Sequence, residues 1–210
     1  MSEQLTNAVA ELREDEAIQM VKDMVAKGEN PNLIFDSARK GMETVGQRFA
    51  AGEYFLPELI YSGEIFRAIS EIVKPIMTAQ SSQAKIGKVI VGTVAGDIHD
   101  IGKDIVVFML DISGFEVYDL GIDVPIKNFV DKIKETKAPV VALSGFLTLA
   151  FDAMKETVEA IEAAGLRDGV KIMIGGGQID DEIRKYTKSD AYGRDAMTAV
   201  KLAKEWFNVK

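Results

Sequence analysis

One histidine stands in this 210-residue chain, His99, and its neighbours are those a metal-ligating imidazole needs. It lies in Gly96-Asp97-Ile98-His99-Asp100-Ile101-Gly102-Lys103, between the apolar runs Val89–Val94 and Ile105–Leu110. A neutral imidazole offers one ring nitrogen to a metal, and a nearby carboxylate can hold the other in a fixed tautomer. Asp97, two residues before His99, is placed for that duty. It can equally cap the following turn, as Asp often does. The flanking runs read as a strand and then a helix. The octapeptide is therefore a loop at the C-terminal end of a strand, where open α/β sheets bind their ligands.

Three further turns are expected at the same edge. One is Gly121; another is Ser144-Gly145-Phe146-Leu147-Thr148; the third is Gly175-Gly176-Gly177. Glycines there let backbone approach a ligand closely and leave N–H groups for phosphate. The bland alternatives are a strand-terminal serine and a tight turn. Taken together, the turns point to a large ligand across the edge, part metal and part phosphate-bearing tail.

The elements that position these residues follow from periodicity. Residues 4 to 77 repeat apolar side chains at helical spacing. A first helix is expected near Leu5 to Leu12. Asp15 caps the next, which carries Ile18, Val21, Met24 and Val25 and ends at Gly28. Pro31 opens a third, with Ile34, Ala38, Met42, Val45 and Phe49, stopped by Gly52. Pro57 opens a fourth, with Leu59, Gly63, Phe66, Ile69, Val73 and Ile76 on one stripe. A four-helix bundle follows. The polar stretch from Thr78 reads as a linker, giving expected domains at 1–77 and 87–210 with a linker at 78–86. After it, strand-like runs (Lys88–Val94, Phe115–Leu120, Val140–Ser144, Val170–Ile174, and a short Ala191-Tyr192-Gly193) alternate with helical ones through Trp206. The expected fold is α/β, a helical bundle followed by a Rossmann-like (flavodoxin-like) five-stranded parallel sheet. Met42, Met77, Met109 and Met154 read as core fillers.

Composition removes other classes. A net charge of −8 argues against nucleic acid and anionic membranes as partners. With no cysteine, disulfides, iron–sulfur clusters and thiolate zinc sites are impossible. No apolar run reaches membrane-spanning length. The start, Met1-Ser2-Glu3-Gln4, lacks a basic and then apolar leader, so a cytoplasmic protein is expected.

The three motif pieces resemble a known family. Asp97-x-His99-x-x-Gly102, then Ser144-x-Phe146, then Gly175-Gly176 is similar to the cobalamin-binding signature Asp-x-His-x-x-Gly … Ser-x-Leu … Gly-Gly. Ser144 falls 42 residues after Gly102, and Gly175 falls 31 after Ser144. The bundle residues Gly41-Met42, Val45-Gly46, Phe49 and Gly52 to Leu59 resemble the helical cap of cobalamin-dependent methionine synthase and of stand-alone corrinoid proteins. The resemblance implies that cobalamin (methylcobalamin or a related corrinoid) binds with its own base off cobalt and His99 as lower axial ligand. Asp97 would bond the far imidazole nitrogen. Gly96, Ile98, Asp100, Ile101 and Gly102 would line that loop. The nucleotide tail would lie beside Ser144, Phe146, Leu147, Thr148, Gly175, Gly176, Gly177, Tyr192 and Gly193. Phe55 and Leu56 would cover the upper face, though they read equally well as ordinary apolar packing. Two departures stand out. Phe146 replaces the signature leucine, and Ala150 stands where methionine synthase has a serine that extends the Asp-His pair.

The implied function is a methyl carrier without a catalytic site of its own. A substrate-specific methyltransferase would load it from a methylamine, methanol, betaine or aromatic methyl ether. A second methyltransferase would pass the methyl group to tetrahydrofolate or a thiol. A reductive activator would rescue oxidised cobalt, and the cap would swing about the linker to admit each partner. A mutase subunit and a cobalamin-dependent sensor are the alternatives, lacking here a substrate barrel and a DNA-binding segment.

Overall fold

A computed structural model describes residues 2–76, 85–177 and 179–209. It divides into two compact units, Met1–Ala84 and Lys85–Lys210. The proposed linker and Met77 lie outside the described residues, apart from Lys85 and Ile86, whose N–H donates to the Gly114 carbonyl in the second unit.

The first unit holds α1 (Ser2–Ala10), α2 (Glu14–Ala26), α3 (Pro31–Ala50) and α4 (Leu56–Val73), with a 3-10 turn after it. Burial follows the helical stripes: Ala17, Val21 and Met24 on α2; Ile34, Ala38, Met42 and Val45 on α3; Leu59, Phe66, Ile69 and Val73 on α4. Asp15 is not the cap of α2. Arg13 occupies that place without a side-chain capping bond, and Glu14, Asp15 and Glu16 crowd the first turn, where the helix dipole favours negative charge. Asn30 caps α3 by accepting from the Asn32 N–H, with Pro31 at the first helical position. Ile76, expected on the α4 stripe, is exposed beyond the end of that helix.

The second unit carries β1 (Lys88–Thr93), α5 (Ile101–Ile112), β2 (Glu116–Asp119), α6 (Ile126–Thr136), β3 (Val140–Ser144), α7 (Ala150–Ala163), β4 (Lys171–Gly175), α8 (Asp181–Thr187), β5 (Ala191–Gly193) and α9 (Ala196–Trp206). All strand pairs are parallel, in the order β2-β1-β3-β4-β5. This is the doubly wound flavodoxin-like order, with the switch point between β1 and β3. The three inner strands are apolar along almost their whole length because helices cover both faces. Ile90, Val141, Leu143, Ile172, Ile174, Phe129 and Met154 join one buried core. α8 starts two residues later than its apolar pattern predicts. The Asp180 side chain accepts from the Glu182 and Ile183 N–H groups and sets the boundary. In register, Thr93 faces Ser144, Ser144 faces Gly175 and Gly175 faces Gly193. One row of the sheet thus ends at the expected site residues. Among the described residues no helix is long and apolar enough to cross a membrane.

Candidate functional site

The site is built around one buried carboxylate. Asp97 is fully buried, in a sharp turn after β1. Its Oδ1 accepts from the His99 backbone N–H at 3.0 Å and meets His99 Nδ1 at 2.7 Å. Its Oδ2 accepts from the Phe146 N–H at 2.6 Å and the Leu147 N–H at 2.9 Å. Burial alone pushes such a carboxyl up. The N–H groups of Leu147 and His99, the imidazole and the Phe146 N–H outweigh it and hold the pKa down at about 2. An ionised carboxylate only accepts, so Nδ1 carries the proton that it donates to Asp97. Nε2 then has its lone pair in the plane of a ring that is half exposed (48%). The arrangement holds a half-exposed imidazole in a fixed tautomer with Nε2 as the acceptor nitrogen.

Three side chains missed in the sequence hold this loop. Thr93 Oγ1 donates to the His99 carbonyl at 2.9 Å. Asp123, at φ +47° after β2, accepts from the Gly96 N–H at 2.8 Å, and its own N–H donates to the Asp97 carbonyl at 2.9 Å. Lys103 is buried, with Nζ 2.6 Å from Asp119 Oδ2 and 2.5 Å from Asp104 Oδ1. Desolvation opposes its charge, but those two carboxylates prevail and raise its pKa. An Asp just past Gly121 and a Lys inside an apolar helix start were the available signals, and neither names its partner without the fold.

Other predicted residues fall in four places. Ser144, Gly175 and Gly193 share the terminal row of the sheet, with Tyr192 next to it on β5 and the Arg194 guanidinium over its ring. Phe146, Leu147 and Thr148 form the exposed start of the β3–α7 turn. Gly176, at φ +146°, passes so near Gly145 that a Cβ would lie 1.8 Å from its carbonyl oxygen. Phe55 and Leu56 belong to the helical unit. Phe55 is exposed with its N–H held by Glu58, and the turn before it is pinned by Tyr54, whose hydroxyl donates to the Ala10 carbonyl and accepts from Arg48.

A B12 binding domain model matches residues 87–201, and a second B12 binding domain model matches residues 1–74. The chain belongs to the B12-binding corrinoid proteins. It is 42% identical to trimethylamine corrinoid protein 2 of Methanosarcina mazei, over 94% of this chain and 92% of that one. A crystal structure of a cobalamin-binding protein from Desulfitobacterium hafniense superposes with a TM-score of 0.83 at 39% identity, covering 98% of both chains. The methanol:cobalamin methyltransferase complex MtaBC of Methanosarcina barkeri gives 0.81 at 26% identity, covering 98% of this chain and 79% of the matched one. Cobalamin is the cofactor of this corrinoid protein.

The residues present fit that group. Among the described residues no three His, Asp or Glu side chains gather to hold a metal ion. A single half-exposed imidazole suits a metal whose remaining ligands come from its own macrocycle. Six of the large apolar side chains left exposed in this unit lie on the loops or first helical turn at this edge: Ile98, Ile101, Ile122, Phe146, Leu147 and Leu149. Such a concentration marks a surface meant to be covered. Gly102 gives the same indication. It lies in the first turn of α5, its φ is not positive, and a Cβ there would meet nothing. The chain's own packing does not call for glycine at 102, and its absence of a side chain leaves the backbone there open to a ligand. The departure at Ala150 can also be placed in the structure. The described partners of Asp97 Oδ2 are the two backbone N–H groups, and Ala150 is buried, with a Cβ at Gly145 falling 2.5 Å from its own. A small residue is accommodated there, and Asp97 keeps its full set of bonds without a hydroxyl.

Proposed function

We propose that this chain is a corrinoid methyl carrier, loaded by a methyltransferase specific for a methylamine. One observation carries the reading: the sole histidine stands at the sheet edge, its ring half exposed and its Nδ1 held by a buried carboxylate. Cobalamin, when bound, supplies a cobalt nucleophile that accepts and yields a methyl group. His99 Nε2 would ligate the cobalt, and Asp97 would fix the tautomer and orientation of the ring. Ile98 and Ile101 would meet the macrocycle, with Gly96, Asp100 and Gly102 completing the loop. Ser144, Leu147, Thr148, Gly175, Gly176, Gly177, Tyr192 and Gly193 would hold the nucleotide tail. The name of the M. mazei relative supports a methylamine as the methyl source, and the identity to the chain matched in the methanol complex is lower. A second methyltransferase acting on tetrahydrofolate or a thiol, and a reductive activator, complete the proposed system.

The test is a visible spectrum of the protein reconstituted with methylcobalamin, beside His99→Ala. A base-off, histidine-ligated spectrum that the variant loses is expected. Transfer from trimethylamine in the presence of a trimethylamine methyltransferase should then follow. A base-on spectrum indifferent to His99 would overturn the assignment, and a preference for adenosylcobalamin would favour a mutase subunit.

A further inference from the structure

Phe146 makes two contacts that no leucine could make together. Its backbone N–H donates to Asp97 Oδ2 at 2.6 Å, while its ring lies over the His99 imidazole with centroids 4.6 Å apart and planes inclined by 35°. The same ring also meets Gly177: a Cβ there would fall 2.5 Å from Cε2 and 2.7 Å from Cδ2. Gly177 does not have the positive φ that would call for glycine on backbone grounds. A side chain at 177 would press on the aromatic ring. Phe146 is also half exposed (52%), so it is not filling the core.

The Asp97 bond holds one nitrogen of the imidazole but leaves the ring free to rock about it. An aromatic face 4.6 Å away removes that freedom, because offset rings have a preferred separation and tilt. We propose that Phe146 is a positioning residue for His99: its ring, in contact with the imidazole and with Gly177, sets the plane in which Nε2 meets the metal and couples the histidine loop to the glycine loop. The proposal rests on His99 being the axial ligand, but its first test does not.

Because His99 is the only histidine, its imidazole C–H signals are unambiguous in an NMR spectrum of the apoprotein. They should be displaced by the ring current of Phe146, collapse toward free-imidazole positions in Phe146→Leu, and return in Phe146→Tyr. Gly177→Ala, which pushes the ring aside from the other loop, should mimic Phe146→Leu; it keeps the test open if that variant does not fold. In the loaded protein, losing an aromatic pair should raise the methylcobalamin dissociation constant about two- to twelvefold, with recovery in Phe146→Tyr. Unchanged imidazole signals in both Phe146→Leu and Gly177→Ala would overturn the proposal. So would collapsed signals with unchanged affinity, or a Tyr variant that restores neither. If the wild-type protein took up no cobalamin while its imidazole signals behaved as described, the carrier reading would fall and the ring contact would stand.

Discussion

Asp97→Asn is the perturbation that tests the site most directly, because every bond of the Asp97 side chain described above has a nitrogen donor and a carboxylate oxygen acceptor. An amide has one oxygen and one NH2. Whichever way it turns, its NH2 faces donors: either the His99 N–H, with Nδ1 driven to the other tautomer, or the N–H groups of Phe146 and Leu147. A buried donor without an acceptor costs about 1–3 kcal/mol, so one or two cost roughly 1–6 kcal/mol in all. With a urea m-value of about 2 kcal/mol/M, the midpoint should fall by about 0.5–3 M. Trp206, the only tryptophan, lies on α9 of the sheet unit, so its fluorescence follows this unit without interference from the helical one. The measurement is a urea titration of apoprotein at neutral pH, with the wild type alongside. The same variant should change the tautomer of His99 whenever the amide turns its NH2 toward Nδ1, read from imidazole nitrogen shifts. A midpoint within about 0.3 M of wild type, together with an unaltered tautomer, would refute the claim that Asp97 organises the loop.

Three further outcomes follow from the same geometry. Gly102→Ala should stabilise the apoprotein by about 0.5–1 kcal/mol, since a helix gains from alanine and the added methyl meets open space, yet weaken cobalamin binding; equal or tighter binding in a titration would remove the argument that this position is left bare for a ligand. Lys103 has its pKa raised in the folded state by Asp104 and Asp119 against the opposing effect of burial, so the stability it contributes is complete below the unfolded value of about 10.4 and is lost as pH rises through the folded value. Urea midpoints taken across alkaline pH should therefore decline more steeply in wild type than in Lys103→Met, and parallel curves would count against the pair. Tyr54→Phe should lower the stability of the helical unit by about 0.5–1.5 kcal/mol, followed by far-ultraviolet circular dichroism, because the hydroxyl links Arg48 to the Ala10 carbonyl; an unchanged transition would show the turn before Phe55 to be held by other contacts.

Much of the architecture was open to reading from the chain because its determinants are local. Helical stripes such as Ile34, Ala38, Met42 and Val45 record a period of 3.6 residues. Continuous apolar runs such as Val140 to Leu143 record strands covered on both faces. Boundaries were read less well where several signals compete. Three consecutive acids hid the start of α2, and Asp180 moved the start of α8 past Ile179. The site residues were visible too, as residue types at the ends of strands: His99, Ser144 and the glycine triplet.

What joins them was decided only by tertiary structure. The chain by itself says that Asp97 is near His99, because two residues separate them. It does not say that Asp97 also accepts from Phe146 and Leu147, which lie 49 and 50 residues away and arrive only because β1 and β3 are neighbours in a parallel sheet. Nor does it say that Asp123 closes over Gly96, that Lys103 is buried against Asp119, or that the Phe146 ring meets both His99 and Gly177. Periodicity and turn chemistry act over a few residues and so can be read along the chain. Hydrogen bonds to a buried carboxylate depend on which strands pair and in what register, and that choice is made by the packing of the whole sheet.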